Sequence, residues 1–215
     1  MKRESVVKTM AEIAIFSSLG FVLDIVASVY SKAAFVNGGS IGIAMAAIFF
    51  MSFHRGLVPG LITGLIIGLL QMAGGVYAIS DAGWKVFLQV ALDYWLAYPL
   101  CGFAGLMHKP FQNAQTKKAK ITFMIIGCVI GGLLKYLCHF LSGVLFWPNV
   151  DNIWGMGESV WFSVVYNGAY MIPCIILSTV VMVILYVRVP TIFTDPDNYS
   201  FGKPKTDDGN NGGTK

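Results

Sequence analysis

The sequence predicts an all-α integral membrane protein with six transmembrane helices and both termini on the cytoplasmic side. Composition points there first. Of its 215 residues 56% are hydrophobic and only 12% charged, where a soluble domain carries about 25% charged residues. Mean hydropathy is +0.68. The apolar residues also come in long blocks rather than in alternation, and one bilayer-spanning helix takes about 20 of them. Six such blocks nearly exhaust the chain and leave no room for a soluble domain. The basic residues are sorted to one side of the blocks, which sets the orientation.

The spans fall near 9–30, 41–53, 57–77, 87–107, 121–147 and 158–188. Lys2, Arg3, Lys8, Arg55, Lys109, Lys117, Lys118, Lys120, Arg188, Lys203, Lys205 and Lys215 flank one set of ends, and only Lys32 and Lys85 the other. The positive-inside rule makes the first set cytoplasmic. The outer connections, 31–40, 78–86 and 148–157, carry Asp81, Trp84, Asp151 and Trp154, as a wet aromatic interface would. Residues 1–190 form the membrane domain, and the polar, Gly- and Asp-rich 191–215 read as a disordered cytoplasmic tail. The net charge of +4 is explained by the positive inner face and calls for no nucleic acid.

In the first helix, "MAEIAIFSSLGFVLDIVASVYSKAAF" follows a basic start but is too long for the apolar core of a signal peptide. Ala14 and Ser18, with Ala11 a turn earlier, form a small-residue stripe near its cytoplasmic end, suited to internal packing or to a partner surface. Asp24 is a buried acid to which the sequence assigns no role. The second helix is short, and either tilts or borrows residues from "SKAAFVNGGS". In the third, Gly56, Gly60, Gly64 and Gly68 give a smooth face for close helix approach, inside the protein or against another subunit.

The last three helices carry the chemistry. "LQVALDYWLAYPL" places Asp93 inside an apolar segment, flanked by Tyr94, Trp95 and Tyr98. A carboxylate in a membrane usually faces a cavity or a countercharge, and aromatic rings around an acid bind organic cations. "KYLCHFLSGVLFW" sets Lys135 and His139 one turn apart on one face, with Ser142 nearby and Trp147 two turns beyond His139. Lys135 then either snorkels or pairs with a carboxylate, for which Asp93 is the candidate. "VWFSVVYNGAYMIP" puts Ser163, Asn167 and Tyr170 together, as interhelical glue or as ligand contacts. Cys101, Cys128, Cys138 and Cys174 all lie in apolar segments and read as buried free thiols, without zinc spacing. His54 and His108, at the cytoplasmic boundaries, suggest no metal site, and no cofactor is implied. There is no GxxxxGK[ST], so ATP phosphates are not cradled by that device.

Together "EIAIFSSLGFVL", "GGSIGIAM", "FHRGLVPGLITGLIIGLLQ", "ALDYWLA", "KYLCHFLSGVLFW" and "VVYNGAYMIP" resemble the ThiT/YuaJ family, from about residue 10 to 187. These are the thiamine-specific S components of energy-coupling factor (ECF) transporters. The resemblance implies a six-helix S-component bundle in a bacterial cytoplasmic membrane. Thiamine binds in its outer half, and the bundle works with a membrane coupling subunit and two cytoplasmic ATPase subunits. Ligand positions carried over by motif are Tyr77, Asp93, Tyr94, His139, Trp147 and Asn167, with Lys135 as a structural ion-pair or supporting residue. Ala14 and Ser18 match the docking stripe for the coupling subunit. Asp93 stands where the family often has Glu, Phe162 where a Tyr is usual, Ile67 where some members have Trp, and Gly42 where the residue is often acidic.

The implied function is binding and transport, with no catalytic residue. The same fold with another ligand, such as a thiamine precursor or another vitamin, is the alternative. An intramembrane enzyme built on Ser142 and His139 has no evident third residue or oxyanion donor. A secondary transporter would be expected to show inverted repeats.

Overall fold

The structure, a computed structural model, describes residues 3–35, 38–73, 75, 76, 78, 83–147 and 159–194. Its helices are α1 (Arg3–Ser31), α2 (Met45–Arg55), α3 (Leu57–Ala73), α4 (Gly83–Asn113), α5 (Lys117–Phe146) and α6 (Ser159–Arg188), followed by a 3-10 turn at Pro190–Phe193. No strand occurs among the described residues. By length and composition α1, α4, α5 and α6 can each cross a membrane. A helix of about 30 residues is roughly 45 Å long, against about 30 Å of hydrocarbon. Their outward residues are apolar, as lipid requires: Ile15, Val22 and Val29 on α1, Leu133 and Leu137 on α5, and Ile172 and Ile176 on α6 are all exposed.

α2 is different in kind. It has 11 residues, and every one from Met45 to Phe53 is buried. It is an interior helix, about 16 Å long, which explains why its apolar block is short. The stretch before it, 38–44, is not helical. The Ile41 N–H donates to Ser31 Oγ (3.0 Å) and the Tyr30 hydroxyl to the Ile41 carbonyl, tying the stretch to α1. The Gly42 N–H donates to Cys174 Sγ (3.2 Å) and the Tyr166 hydroxyl to the Gly38 carbonyl (2.9 Å), tying it to α6.

The glycine face of α3 packs inside the protein. A Cβ on Gly64 would lie 2.3 Å from the Tyr98 carbonyl oxygen and one on Gly68 2.2 Å from that of Tyr94, so the α3 and α4 backbones all but touch. Gly56 plays another part: its φ of 94° makes the turn between α2 and α3, a region that costs glycine nothing. α4 and α5 run antiparallel in the same close manner. Gly127 abuts the Ala104 carbonyl and Gly131 that of Cys101. This register continues upward into the site.

At the end where the basic residues gather, Arg55 grips Glu12 with two hydrogen bonds (2.6 and 2.8 Å) and pins α2 to α1. Phe193 is buried there against Phe50, Phe111 and Tyr186. The packed chain therefore reaches Phe193, slightly past residue 190. Residues 195–215 of the expected tail lie outside the described residues. All four cysteines are free and buried.

Candidate ligand-binding site

Between α1, the 38–44 stretch, α4, α5 and α6 lies a cavity of about 490 Å³, within the range of about 300–1,000 Å³ usual for small-molecule sites. One wall depends on an irregularity in α4. Residues Ala91–Leu96 form a π turn, closed by the Ala97 N–H bonding to the Leu92 carbonyl. The wider turn carries one residue more than an α turn, so it shifts which side chains the helix presents; such insertions recur at functional sites. Asp93 and Tyr94 sit in it, and both line the cavity.

Asp93 meets α5. The Ser142 hydroxyl donates to Asp93 Oδ2 (2.7 Å), and His139 Nδ1 lies 3.0 Å from Oδ1. A carboxylate only accepts, so Nδ1 carries the proton and Nε2 of a neutral ring is an acceptor. Among the described residues Nε2 has no hydrogen-bond partner. Trp147, at the end of α5, also lines the cavity. The carboxylate stands between the serine and the histidine, so the histidine cannot relay a proton from Ser142 as a catalytic base would.

Asn167 is first a bridge. Its amide N–H donates to Ser163 O (3.0 Å), Ser163 Oγ (3.1 Å) and the His139 carbonyl (3.3 Å), while its Oδ1 accepts from the Tyr170 hydroxyl (2.7 Å). It holds α6 against α5 at the level of His139 and still lines the cavity.

Lys135 does not take the partner expected of it. Its ammonium lies 3.7 Å from the centre of the Tyr98 ring, and among the described residues no ion pair involves it. The reason is register. Going up the antiparallel helices, Gly131 faces Cys101, Lys135 faces Tyr98, and only His139 and Ser142 reach Asp93. Lys135 is about one turn too deep. Only 7% exposed, it is held by a cation–π contact.

Sequence reasoning passed over Asp24. It lines the same cavity from α1 and accepts hydrogen bonds from Ser40 Oγ (3.0 Å), Gln71 Nε2 (2.6 Å) and the Tyr98 hydroxyl (2.6 Å). The signal, an acid in an apolar segment, was the same as for Asp93. Its partners come from three other parts of the chain, which no local spacing reveals.

Of the remaining expected positions, Tyr77 lies outside the described residues. Ala14 and Ser18 are exposed on the outer face of α1, with the Ser18 hydroxyl turned back to the Ala14 carbonyl (2.9 Å). Phe162 lines the cavity, stacked on Tyr166. Gly42 lines it where a Cβ would strike Ala27. Ile67 is fully buried against Gly20 at the α1–α3 crossing, away from the cavity lining. No cluster of metal-binding side chains occurs among the described residues.

The cavity thus sets a few charged and polar groups among apolar and aromatic side chains, between helices long and apolar enough to cross a membrane. Residues 10–194 match the family described as thiamine transporter protein (Thia_YuaJ). The chain belongs to that family. It is 32% identical over 188 residues to the thiamine transporter ThiT of Bacillus subtilis (strain 168), covering 85% of this chain and 92% of the relative. It is 30% identical over 177 residues to the thiamine transporter ThiT of Lacticaseibacillus paracasei, covering 77% of this chain and 80% of that one. Its fold is similar to a solved structure of ThiT from Listeria monocytogenes, with a TM-score of 0.72 and 26% identity, over 88% of this chain and 99% of that chain. The family is one of multi-pass membrane transporters, a non-enzymatic role.

Proposed function

We propose that this chain is the substrate-binding S component of an ECF-type vitamin transporter, and that it binds thiamine in the cavity. The observation that carries the reading is Asp93, a carboxylate inside the membrane that faces a ligand-sized cavity with His139, Tyr94 and Trp147 around it. Thiamine is an aromatic cation bearing an aminopyrimidine. Asp93 supplies the countercharge, Trp147 and the tyrosines supply faces for stacking, and His139 Nε2 accepts from an exocyclic amine. Asn167 completes the polar wall. Tyr77 is proposed as a further contact on the strength of the motif alone.

Both termini lie in the cytoplasm and the cavity in the outer half of the bundle, an orientation supported by the basic residues at the opposite end. Delivery inward then requires a membrane coupling subunit and two cytoplasmic ATPase subunits. The exposed stripe of Ala14 and Ser18 on α1 supports a docking place for the coupling subunit, since small side chains let helices approach closely.

The test is a titration of the purified chain with thiamine and, separately, with its pyrimidine precursor, read by tryptophan fluorescence. Saturable quenching by thiamine at lower concentration than by the precursor is expected. Tighter binding of the precursor would assign the same fold to a different ligand.

A further inference from the structure

We propose that Asp24 is a second ligand-facing carboxylate and that it sets the charge selectivity of the cavity, favouring the unphosphorylated organic cation over its phosphate esters. The inference rests on the reading of the cavity as a thiamine site.

Two features of Asp24 carry it. The first is position. Asp24 enters the cavity from α1, which packs on α2 and α3, whereas His139 enters it from α5 and Asp93 from α4, on which α5 packs. The two carboxylates therefore belong to different helices, with Tyr98 of α4 reaching from one to the other. The second is fixation. Ser40, Gln71 and Tyr98 each donate to Asp24, from the 38–44 stretch, α3 and α4. Three donors reach it and, among the described residues, no basic side chain pairs with it. A carboxylate offers about four acceptor positions, so one remains for a ligand.

The charge balance gives the direction of the selectivity. Among the described residues the inner lining holds two carboxylates, Asp24 and Asp93, and one ammonium, Lys135. Lys32 also lines the cavity but is exposed at its rim. The interior is therefore short of one positive charge. A monocation supplies it. A phosphate ester adds about −1.5 to −2 charges at neutral pH and meets a carboxylate on either wall. Lys135 offers that ester little, because its ammonium is seated on the Tyr98 ring.

The test titrates thiamine and thiamine monophosphate against the full chain, as wild type, Asp24→Asn and Asp24→Ala, with melting temperature as the check on folding. Wild type is expected to prefer thiamine by about tenfold or more, the effect of one modest charge interaction. Both neutral variants are expected to bind thiamine more weakly and to lose most of that preference. Equal binding of the two compounds by wild type overturns the proposal without any variant. So does a preference that survives in a folded Asp24 variant, and that result leaves the thiamine reading standing. Binding of neither compound by wild type overturns both. If neither variant folds even with thiamine present, Asp24 is a folding residue and the proposal fails.

Discussion

The Lys135 ammonium sits 3.7 Å from the centre of the Tyr98 ring, while both oxygens of Asp93 are taken by His139 and Ser142. The lysine is thus not the lock on the Asp93 carboxylate. It reaches Asp24 indirectly, since the phenol beneath it donates to that second acid.

Lys135→Met is expected to lower the melting temperature of the ligand-free protein. A desolvated cation–π contact is worth about 2 kcal/mol, and its loss leaves two inner carboxylates without their ammonium. Thiamine, which brings a positive charge, is expected to raise the melting temperature of the variant by more than it raises that of wild type. Equal ligand-induced shifts would show that Lys135 takes no part in the charge balance of the cavity.

Gly68→Ala is expected to weaken both folding and binding. The added Cβ would stand 2.2 Å from the Tyr94 carbonyl oxygen, and relieving such a clash typically costs about 1–3 kcal/mol. The backbone that must move is the π turn bearing Asp93. Gly83→Ala serves as the control, because nothing lies within 4 Å of a Cβ built there. Melting temperature and thiamine titration on both variants decide the point; a Gly68→Ala protein as stable as wild type would refute the tight α3–α4 approach.

Ala14→Leu and Ser18→Leu are expected to leave thiamine binding and melting temperature unchanged but to abolish uptake by cells. Both side chains are exposed on α1, and a bulky residue there blocks close approach of a partner helix. Uptake at the wild-type rate would remove the stripe from the coupling surface. Weakened binding by the isolated chain would mean that the stripe supports the cavity.

Much of this arrangement was legible in the sequence, and the rest was hidden for physical reasons. The apolar blocks marked all six helices: α1, α4, α5 and α6 because lipid leaves few alternatives to a continuous helix, and α2 because it is buried inside the bundle. Glycines at every fourth position marked a packing face, and the structure identifies its neighbour as α4. Asp93 and His139 stood out because an ionisable group inside a membrane is expensive. The π turn at Ala91–Leu96 left no such mark, since a single inserted residue does not disturb an apolar block. That insertion and the antiparallel register of α4 and α5 decide whether Lys135 or His139 meets Asp93, and neither is a local property. Asp24 went unassigned for the same reason, its donors being 16, 47 and 74 residues away along the chain.

The central claim is that Asp93 holds a thiamine cation in this cavity, and Asp93→Asn tests it most directly. Asparagine keeps the size of the side chain and removes its charge. A thiamine titration of the folded variant is expected to give at least about tenfold weaker binding than wild type, or about 1.4 kcal/mol, because a countercharge in a water-poor site is lost. Wild-type affinity in an Asp93→Asn protein of unchanged melting temperature would contradict the claim.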